Sequence, residues 1–260
     1  MNNVNKTLYI PLYGKAYVSC KNIILSDKSA ENIWSKEGFR LNGKSKSKWL
    51  AYYMGMRARV FDDWTSERIK ENPKAIVIHV GCGLDSRAER VDARGEAWFD
   101  LDFPEVIEER RKYFSENESY RMIGADIRES GYLDFASQDR SAIVIMEGVS
   151  MYLTPEELKG FFATLSNRFD KLTILMDCYT TFAARASKIK NPINDVGVTT
   201  VYGMDAPTLP LPSDIRFIGE HEMTPVHLID ELKGIEKIIF SKVYGGKMSN
   251  KLYKLYEYSK

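Results

Sequence analysis

Short apolar segments alternate with helical ones through the middle of this sequence. Between about residues 73 and 179, five segments have the length and the apolar, often β-branched composition of strands. The five strand candidates are residues 74–80, 96–101, 120–124, 141–146 and 171–176. Strands that are separated by helices pair in parallel through crossover connections, so this alternation predicts an α/β fold with a doubly wound, mostly parallel sheet.

The segment before this alternation has a different pattern. Residues 1–72 show no strong strand signal, and we predict helices over residues 29–34 and 49–70. Apolar residues recur at helical spacing in the second of these, namely Trp49, Tyr53, Met56, Val60 and Trp64. We therefore predict that residues 1–72 form a helical cover over the core, with a basic loop at residues 42–48.

The C-terminal part is predicted to contain a lid and two further strands. Residues 180–212 begin with a helical segment and continue into a stretch with three prolines, which disfavour regular structure. Residues 213–260 contain strand candidates at 215–223 and 251–259 around a short helix, which would bring the sheet to seven strands. We interpret residues 1–260 as a single domain whose ligand-binding core spans residues 73–179.

Charge and cysteine content narrow the classes of partner and compartment. The 260 residues include 37 Lys and Arg against 36 Asp and Glu, a net charge of +1. No overall field attracts nucleic acid or an anionic membrane, so we expect neither as a partner, although a local patch stays open. Three scattered cysteines indicate neither a disulfide framework nor a metal site. With no apolar leader segment and no membrane-length apolar run, we expect a cytoplasmic protein.

Glycines and acids stand where the predicted strands end. In an open parallel sheet, ligands bind beyond the carboxyl ends of the strands, so these positions are the candidate site. Gly81 and Gly83 allow a tight turn and close approach of a ligand to backbone amides. Asp100 and Asp102 follow about 20 residues later, where an acid holds the hydroxyls of an adenosine ribose. Since Ser86 replaces the third glycine of the dinucleotide motif, NAD and S-adenosylmethionine both remain candidates.

Four further residues have a possible role at an adenosine ligand. Asp126 could accept a hydrogen bond from the adenine amine while Ile127 packs on the ring, although a loop aspartate often caps a turn. Glu147 could bind the ammonium of a methionine moiety, or it could be a surface carboxylate. Arg59 could pair with an amino-acid carboxylate, or it could be solvated.

Several motifs in register resemble the leucine carboxyl methyltransferase family, which includes bacterial O-methyltransferases associated with polyketide biosynthesis. The matching segments are VIHVGCGLDSR at 77–87, WFDLDFPEVI at 98–107, ADIR at 125–128 and MEGVSMYL at 146–153. Arg57-Ala58-Arg59 resembles the arginine motif on the helix before the sheet. The order and spacing agree from roughly residue 50 to 180, so the resemblance rests on several independent motifs.

The resemblance implies an S-adenosylmethionine-dependent methyltransferase with a class I, Rossmann-like fold. It assigns Arg59 to the methionine carboxylate and Gly81 to close approach beside the ligand. It assigns Asp102, or its neighbour Asp100, to the ribose. The adenine contacts are assigned to Asp126 and Ile127, and the methionine end to Glu147. Either Lys6 or Lys15 matches a basic N-terminal residue that closes the pocket in relatives.

The methyl acceptor is predicted to be a carboxylate or hydroxyl of a small molecule. A carboxylate is already nucleophilic, whereas a hydroxyl needs a base or a matched pKa. Tyr152 follows the Glu147 strand and is the candidate catalytic residue that lines the transfer pocket. Aromatic residues of the covering segments suggest an apolar chamber: Tyr9, Tyr13, Tyr17, Phe182 and Tyr202. A protein C-terminal carboxylate as acceptor, an NAD-dependent oxidoreductase and a non-catalytic binding module are the alternatives, and the oligomeric state is open.

Overall fold

Seven strands form one sheet in the computed structural model, which describes residues 8–39, 41, 43–93, 97–137, 140–187, 200–208 and 211–260. The strands are β1 (Ile76–Val80), β2 (Trp98–Asp102), β3 (Tyr120–Gly124), β4 (Ala142–Met146), β5 (Leu172–Tyr179), β6 (Arg216–His221) and β7 (Tyr253–Ser259). Their order is β3-β2-β1-β4-β5-β7-β6. Strands β1 to β5 pair in parallel, and β7 runs antiparallel between β5 and β6. The prediction of a doubly wound, mostly parallel seven-stranded sheet is confirmed.

Ten α-helices accompany these strands in the described part of the chain. They are α1 (Tyr9–Cys20), α2 (Lys28–Glu37), α3 (Lys48–Glu71), α4 (Arg87–Arg90), α5 (Pro104–Arg110), α6 (Pro155–Arg168), α7 (Thr181–Ser187), α8 (Val226–Ile229), α9 (Gly234–Val243) and α10 (Lys247–Leu252). Short 3₁₀ turns occur at Gly43–Lys46 and Ser150–Tyr152. No helix among them combines the length and apolar composition that crossing a membrane requires.

Strand β5 ends three residues later than the sequence predicts. Its antiparallel pairing with β7 continues through Asp177, Cys178 and Tyr179. The apolar pattern ends at Met176, so only the pairing with a distant strand extends β5. As a result, the Asp177 carboxylate lies within the strand and is completely buried.

Helix α1 is absent from the sequence prediction; Gly14 lowers its intrinsic helix propensity, whereas Pro11 lies in the first turn, where proline is tolerated. Packing compensates, since α1 lies close against α3. A Cβ added at Gly14 would stand 2.7 Å from the Met54 Cβ, and one added at Gly55 would stand 2.8 Å from a Val18 methyl group. Glycine at these two positions therefore allows the two helices to approach closely.

The C-terminal part is more helical than predicted. The expected helix at 225–233 is reduced to α8, and α9 and α10 follow it before β7 begins. Of the predicted lid, residues 188–199 and 209–210 lie outside the described residues; helix α7 forms at its beginning, and further on the Met204 N–H donates to the Tyr179 carbonyl of β5. Helix α6 begins at Pro155, where Thr154 before it and Glu157 after it form a reciprocal capping box.

Candidate active site

A cavity of about 740 Å³ lies at the carboxyl ends of β1, β2 and β4. The residues around it come from the turns after these strands, from α1 and α3, and from α7 and the ends of α9 and α10. It adjoins the gap between β1 and β4, where the strand order reverses. Ligands of doubly wound sheets bind at such a switch point.

Seven of the nine predicted site residues line this one cavity. They are Gly81, Gly83, Asp102, Asp126, Ile127, Glu147 and Tyr152. They come from four separate segments of the sequence, and the parallel sheet brings them together because its strands end at a common edge. Asp100 and Arg59 are not among the lining residues.

The turn after β1 requires glycine for conformational and steric reasons. Gly81 and Gly83 have φ angles of +66° and +51°, a region that other residues rarely adopt. A Cβ at Gly81 would stand 2.1 Å from a Val149 methyl group, so any side chain there would collide with the turn after β4. The glycines thus keep two neighbouring strand ends close together at the cavity.

Asp102, the last residue of β2, is held by backbone amides. Its two carboxylate oxygens accept hydrogen bonds from the N–H groups of Gly83 and Phe103, both at 2.8 Å. Burial raises the Asp102 pKa to about 6, although the two N–H groups oppose that shift. The carboxylate is therefore fixed beside the glycine turn, and it titrates close to neutral pH.

Asp100, the alternative candidate for the ribose, does not line the cavity. Asp100 lies two residues deeper in β2, which places it about 6–7 Å from Asp102 along the strand. Its carboxylate accepts hydrogen bonds from Arg110, from the Tyr120 hydroxyl at 2.7 Å and from the Trp98 indole at 2.9 Å. These contacts join Asp100 to α5 and β3.

Arg59 does not line the cavity either, whereas Arg57, two residues earlier on α3, does. The Arg59 side chain is 40% exposed, pairs with Asp63 at 2.8 Å and donates to the Ile24 carbonyl. The Arg57 side chain is only 5% exposed and lines the cavity. Positions two apart lie on different sides of a helix, so only one of these arginines can face the sheet.

Arg57 joins the turn after β4 to the adjacent strand β5. Its Nε donates to Glu147 at 2.8 Å, and its Nη1 donates to Asp177 at 2.9 Å. Asp177 also accepts from the Gly148 N–H at 2.6 Å. Burial opposes ionisation of Glu147, but Arg57 and Arg87 outweigh it and hold the Glu147 pKa at about 2.

Glu147 belongs to a larger buried network of ion pairs. Arg87 contacts Glu147 and Asp62, Arg90 contacts Asp62, Asp85 and Asp27, and Lys15 contacts Asp85 at 3.1 Å. The network comprises the cations Lys15, Arg57, Arg87 and Arg90 and the carboxylates Asp27, Asp62, Asp85, Glu147 and Asp177. Four cations against five carboxylates leave a formal charge of −1 beside the cavity.

Lys15 and Lys6 were both candidates for the basic N-terminal residue. Lys6 lies outside the described residues. Lys15 on α1 lines the cavity, and its side chain is 3% exposed. A buried lysine requires compensation, and Asp85 provides it here.

Asp126 follows β3 and lines the end of the cavity away from the ion-pair network. Arg128 Nε contacts both Asp126 carboxylate oxygens, at 2.9 and 3.0 Å, and the hydrogen bonds from Arg128 lower the Asp126 pKa. Ile127 lines the cavity next to it, together with Leu101 and Phe103. This end therefore offers apolar surface beside one carboxylate.

Tyrosines line the other end of the cavity. Tyr53 of α3, Tyr152, Tyr179 of β5 and Tyr253 of β7 all contribute. The Tyr253 hydroxyl donates to the Tyr179 hydroxyl at 3.0 Å, and the two rings meet edge to face with centroids 4.6 Å apart. We call this end, with Trp49, Tyr244 and Leu252 beside it, the tyrosine chamber.

The aromatic residues that the sequence suggested for such a chamber do not line it. Tyr9 packs on Phe39 and Tyr13 on Trp34, so α1 directs these rings towards the N-terminal segments. Phe182 is exposed, and Tyr17 and Tyr202 also lie off the cavity. The aromatic residues that line this end of the cavity are therefore different from those that the sequence suggests.

Fold and site together define a Rossmann-like protein that binds a nucleoside-containing ligand at the switch point of its sheet. The family model described as "Leucine carboxyl methyltransferase" matches residues 13–166, and the chain belongs to this family. It is accordingly an S-adenosylmethionine-dependent methyltransferase. Membership rules out the NAD-dependent oxidoreductase that the glycine turn alone left open.

Individual relatives agree with this membership. The tetracenomycin polyketide synthesis O-methyltransferase TcmP of Streptomyces glaucescens is 28% identical over 212 residues, 80% of this chain and 77% of that protein. The S-adenosyl-L-methionine-dependent methyltransferase dpfgK of Gibberella zeae is 30% identical over 186 residues, 65% of this chain and 62% of that protein. The magnesium protoporphyrin IX methyltransferase of Synechocystis PCC 6803, solved with bound SAH, shares the fold at 11% identity and a TM-score of 0.50, with 90% of this chain and 93% of that chain covered.

Proposed function

We propose that this enzyme transfers the methyl group of S-adenosylmethionine to an oxygen of a small, largely apolar acceptor, and that this oxygen belongs to a carboxylate. One observation carries the proposal: the cavity continues from the strand ends into the tyrosine chamber, while each carboxylate that lines it already has a partner. The O-methyltransferase name of TcmP supports an oxygen acceptor.

The residues around the strand ends fit the cofactor in their donor and acceptor chemistry. Asp102 would accept from the ribose hydroxyls, and Leu101, Phe103 and Ile127 would enclose the adenine. Asp126 would accept from the adenine amine if it shared its carboxylate with Arg128. Gly81 and Gly83 would leave room for the ligand beside the backbone.

The buried network fits the methionine end. Glu147 would accept from the ammonium group, and the cations Arg57 and Lys15 would attract the carboxylate. The formal charge of −1 on the network complements the net positive charge that a sulfonium adds to a methionine zwitterion. The cofactor, when bound, supplies an electrophilic methyl group on that sulfonium.

The acceptor oxygen is expected to need no general base. Three of the described lining carboxylates form ion pairs: Asp85 with Lys15, Asp126 with Arg128, and Glu147 with two arginines. Each of these carboxyls has a lowered pKa. Asp102 titrates closer to neutral pH, but the glycine turn binds it through a backbone amide. Of the histidines, His79 lines the cavity but is buried in contact with Asp100 and Arg87, and burial lowers its pKa, whereas His221 pairs with Glu257 away from the cavity. A carboxylate acceptor needs only alignment, which can contribute roughly 7–11 kcal/mol in favourable cases.

A product analysis tests this proposal. The enzyme is incubated with S-adenosylmethionine carrying a labelled methyl group and with matched pairs of aromatic carboxylic acids and phenols. We expect label in a product that releases methanol in mild base, as a methyl ester does and a methyl ether does not. Label only in base-stable products would contradict a carboxylate acceptor. Label only in added peptides with a free C-terminus would favour the protein substrate.

Tyr152 is predicted to orient the acceptor in the tyrosine chamber. In Tyr152→Phe we expect kcat/KM for the acceptor to fall about tenfold, roughly 1.4 kcal/mol, while the affinity for S-adenosylhomocysteine is unchanged. Tyr132→Phe is the matched control, since Tyr132 is buried elsewhere and its hydroxyl has no partner among the described residues. Equal kinetics for Tyr152→Phe and wild type would remove Tyr152 from the site.

Cofactor affinity is predicted to depend on the ionisation of Asp102. Because its pKa is about 6 and ribose hydroxyls require an acceptor, protonation competes with binding. We expect the S-adenosylhomocysteine affinity, measured by calorimetry, to fall as the pH drops below about 6, approaching tenfold per pH unit. The Asp102→Asn variant should bind S-adenosylhomocysteine weakly, and its affinity should not show this fall at low pH. A wild-type profile that matches the variant's between pH 5 and 8 would count against Asp102 as the ribose ligand.

A further inference from the structure

Helix α9 presents an apolar face to solvent. Ile235 and Ile238 are 71% and 55% exposed, Val243 is also exposed, and Phe240 is the buried residue of this helix. At 100° per residue, Ile238, Ile235 and Val243 span an arc of about 140°. A surface helix normally turns its apolar stripe towards the core, so this face lacks the partner that its composition calls for.

Lysines stand close to these apolar residues in the sequence, and at 100° per residue Lys242 falls within their arc. Residues 233–251 contain five lysines and one acidic residue, Glu236, which pairs with Lys48. The structure pairs Lys237 with Asp230, and within the described ranges it shows no ion pair for the other four. These four exposed lysines are Lys233, Lys242, Lys247 and Lys251. We call them, with Ile235, Ile238 and Val243, the α9 surface.

We propose that the α9 surface docks on an anionic lipid bilayer. Branched aliphatic side chains would enter the headgroup region, and each lysine near such a surface is attracted to it. The whole chain carries a charge of only +1, so the attraction is local to this surface.

The composition of the α9 surface argues against a partner protein or a second copy of this chain as its occupant. Protein interfaces are enriched in aromatic residues and arginine and depleted in lysine, whereas residues 225–252 contain no arginine, and their two aromatic residues, Phe240 and Tyr244, are not exposed. A second copy of the chain would bring the same lysines together across a two-fold axis, where like charges repel.

The position of the surface links docking to the catalytic cavity. Tyr244 follows α9 and stacks on Trp49 with centroids 5.6 Å apart, and Leu252 ends α10. All three residues line the tyrosine chamber. Docking would therefore bring the chamber close to the bilayer, and an apolar acceptor could be taken from there. This last consequence rests on the proposed function, whereas docking does not.

Vesicle flotation of the full chain tests the proposal without requiring activity. We expect binding to phosphatidylcholine vesicles that contain phosphatidylglycerol, weaker binding at high salt, and none to phosphatidylcholine alone. Lys242→Ala should lower the partition coefficient about fivefold. Ile235→Ser/Ile238→Ser should lower it at least tenfold. The matched controls are Lys159→Ala on α6 and Ile218→Ser, an isoleucine that is 56% exposed on β6.

Several outcomes would overturn docking. The first is that the wild type does not float with vesicles that contain phosphatidylglycerol. The second is that the control variants lose as much vesicle binding as the α9 variants. The third is that the α9 variants bind the vesicles as strongly as the wild type. A concentration-dependent dimer that Ile235→Ser/Ile238→Ser abolishes would instead assign the surface to a second copy. If the enzyme transfers methyl groups but does not float with the vesicles, docking alone is rejected. If it floats but methylates no carboxylate, the proposed function alone is rejected.

Discussion

Replacing Arg57 with methionine is expected to abolish S-adenosylhomocysteine binding and to lower the free energy of unfolding by about 3–5 kcal/mol. Arg57 is the buried cation between Glu147 and Asp177, with nitrogen–oxygen distances of 2.8 and 2.9 Å. Removing it leaves two carboxylates in the interior without this partner, and it places a second excess negative charge on the network. Urea denaturation and calorimetry measure the two effects.

A conservative variant keeps this prediction testable if the methionine variant does not fold. Arg57→Lys retains the charge but lacks the forked guanidinium that reaches both carboxylates, so we expect a folded protein with reduced cofactor affinity. Arg59→Ala is the matched control on the same helix. Because Arg59 forms an exposed pair with Asp63, its loss should cost less than about 1 kcal/mol and leave the affinity unchanged. Loss of binding in Arg59→Ala alone would reverse our assignment.

Gly81→Ala is expected to have the second largest effect. The φ angle of +66° costs a non-glycine residue roughly 1–2 kcal/mol, and the new Cβ would stand 2.1 Å from a Val149 methyl group. Relief of that collision requires Val149 to leave its rotamer or the β1 or β4 turn to move, which adds about 1–3 kcal/mol and displaces the cavity wall. We expect a total of about 2–5 kcal/mol in urea denaturation, together with weaker S-adenosylhomocysteine binding.

Two further variants separate the collision from the backbone cost. Gly38 has a similar φ of +61°, but a Cβ there would meet nothing within 4 Å, so Gly38→Ala should show the conformational cost alone. Val149→Ala combined with Gly81→Ala should recover part of the lost stability, because the clashing methyl group is removed. Equal effects of Gly81→Ala and Gly38→Ala would show that the close approach to Val149 is unimportant.

Most of the candidate site was predictable because it is local in sequence. Strand ends can be recognised from apolar runs that stop at glycines or acids, and parallel strands bring such ends to one edge. Gly81, Asp102, Asp126 and Glu147 were all identified in this way, and they line one cavity. A signal for Arg57 was also present, since it lies four residues after Tyr53 on the apolar stripe of α3, whereas Arg59 lies off that stripe.

Other features depended on contacts between segments far apart in sequence. Asp177 is drawn into β5 by pairing with β7, and the tyrosine chamber combines residues from α3, β5 and β7. Helix α1 forms despite Gly14 because it packs on α3. Short-range propensity contains no information about such contacts.

The amino-acid pattern alone was sufficient for the order of strands and helices and for the acids and glycines at the strand ends, because both follow from periodicity within short segments. The choice of Arg57 over Arg59 and of Asp102 over Asp100 was made by burial in the folded chain. Two neighbouring side chains of the same type differ only in what surrounds them, and those surroundings exist only after distant elements have packed together.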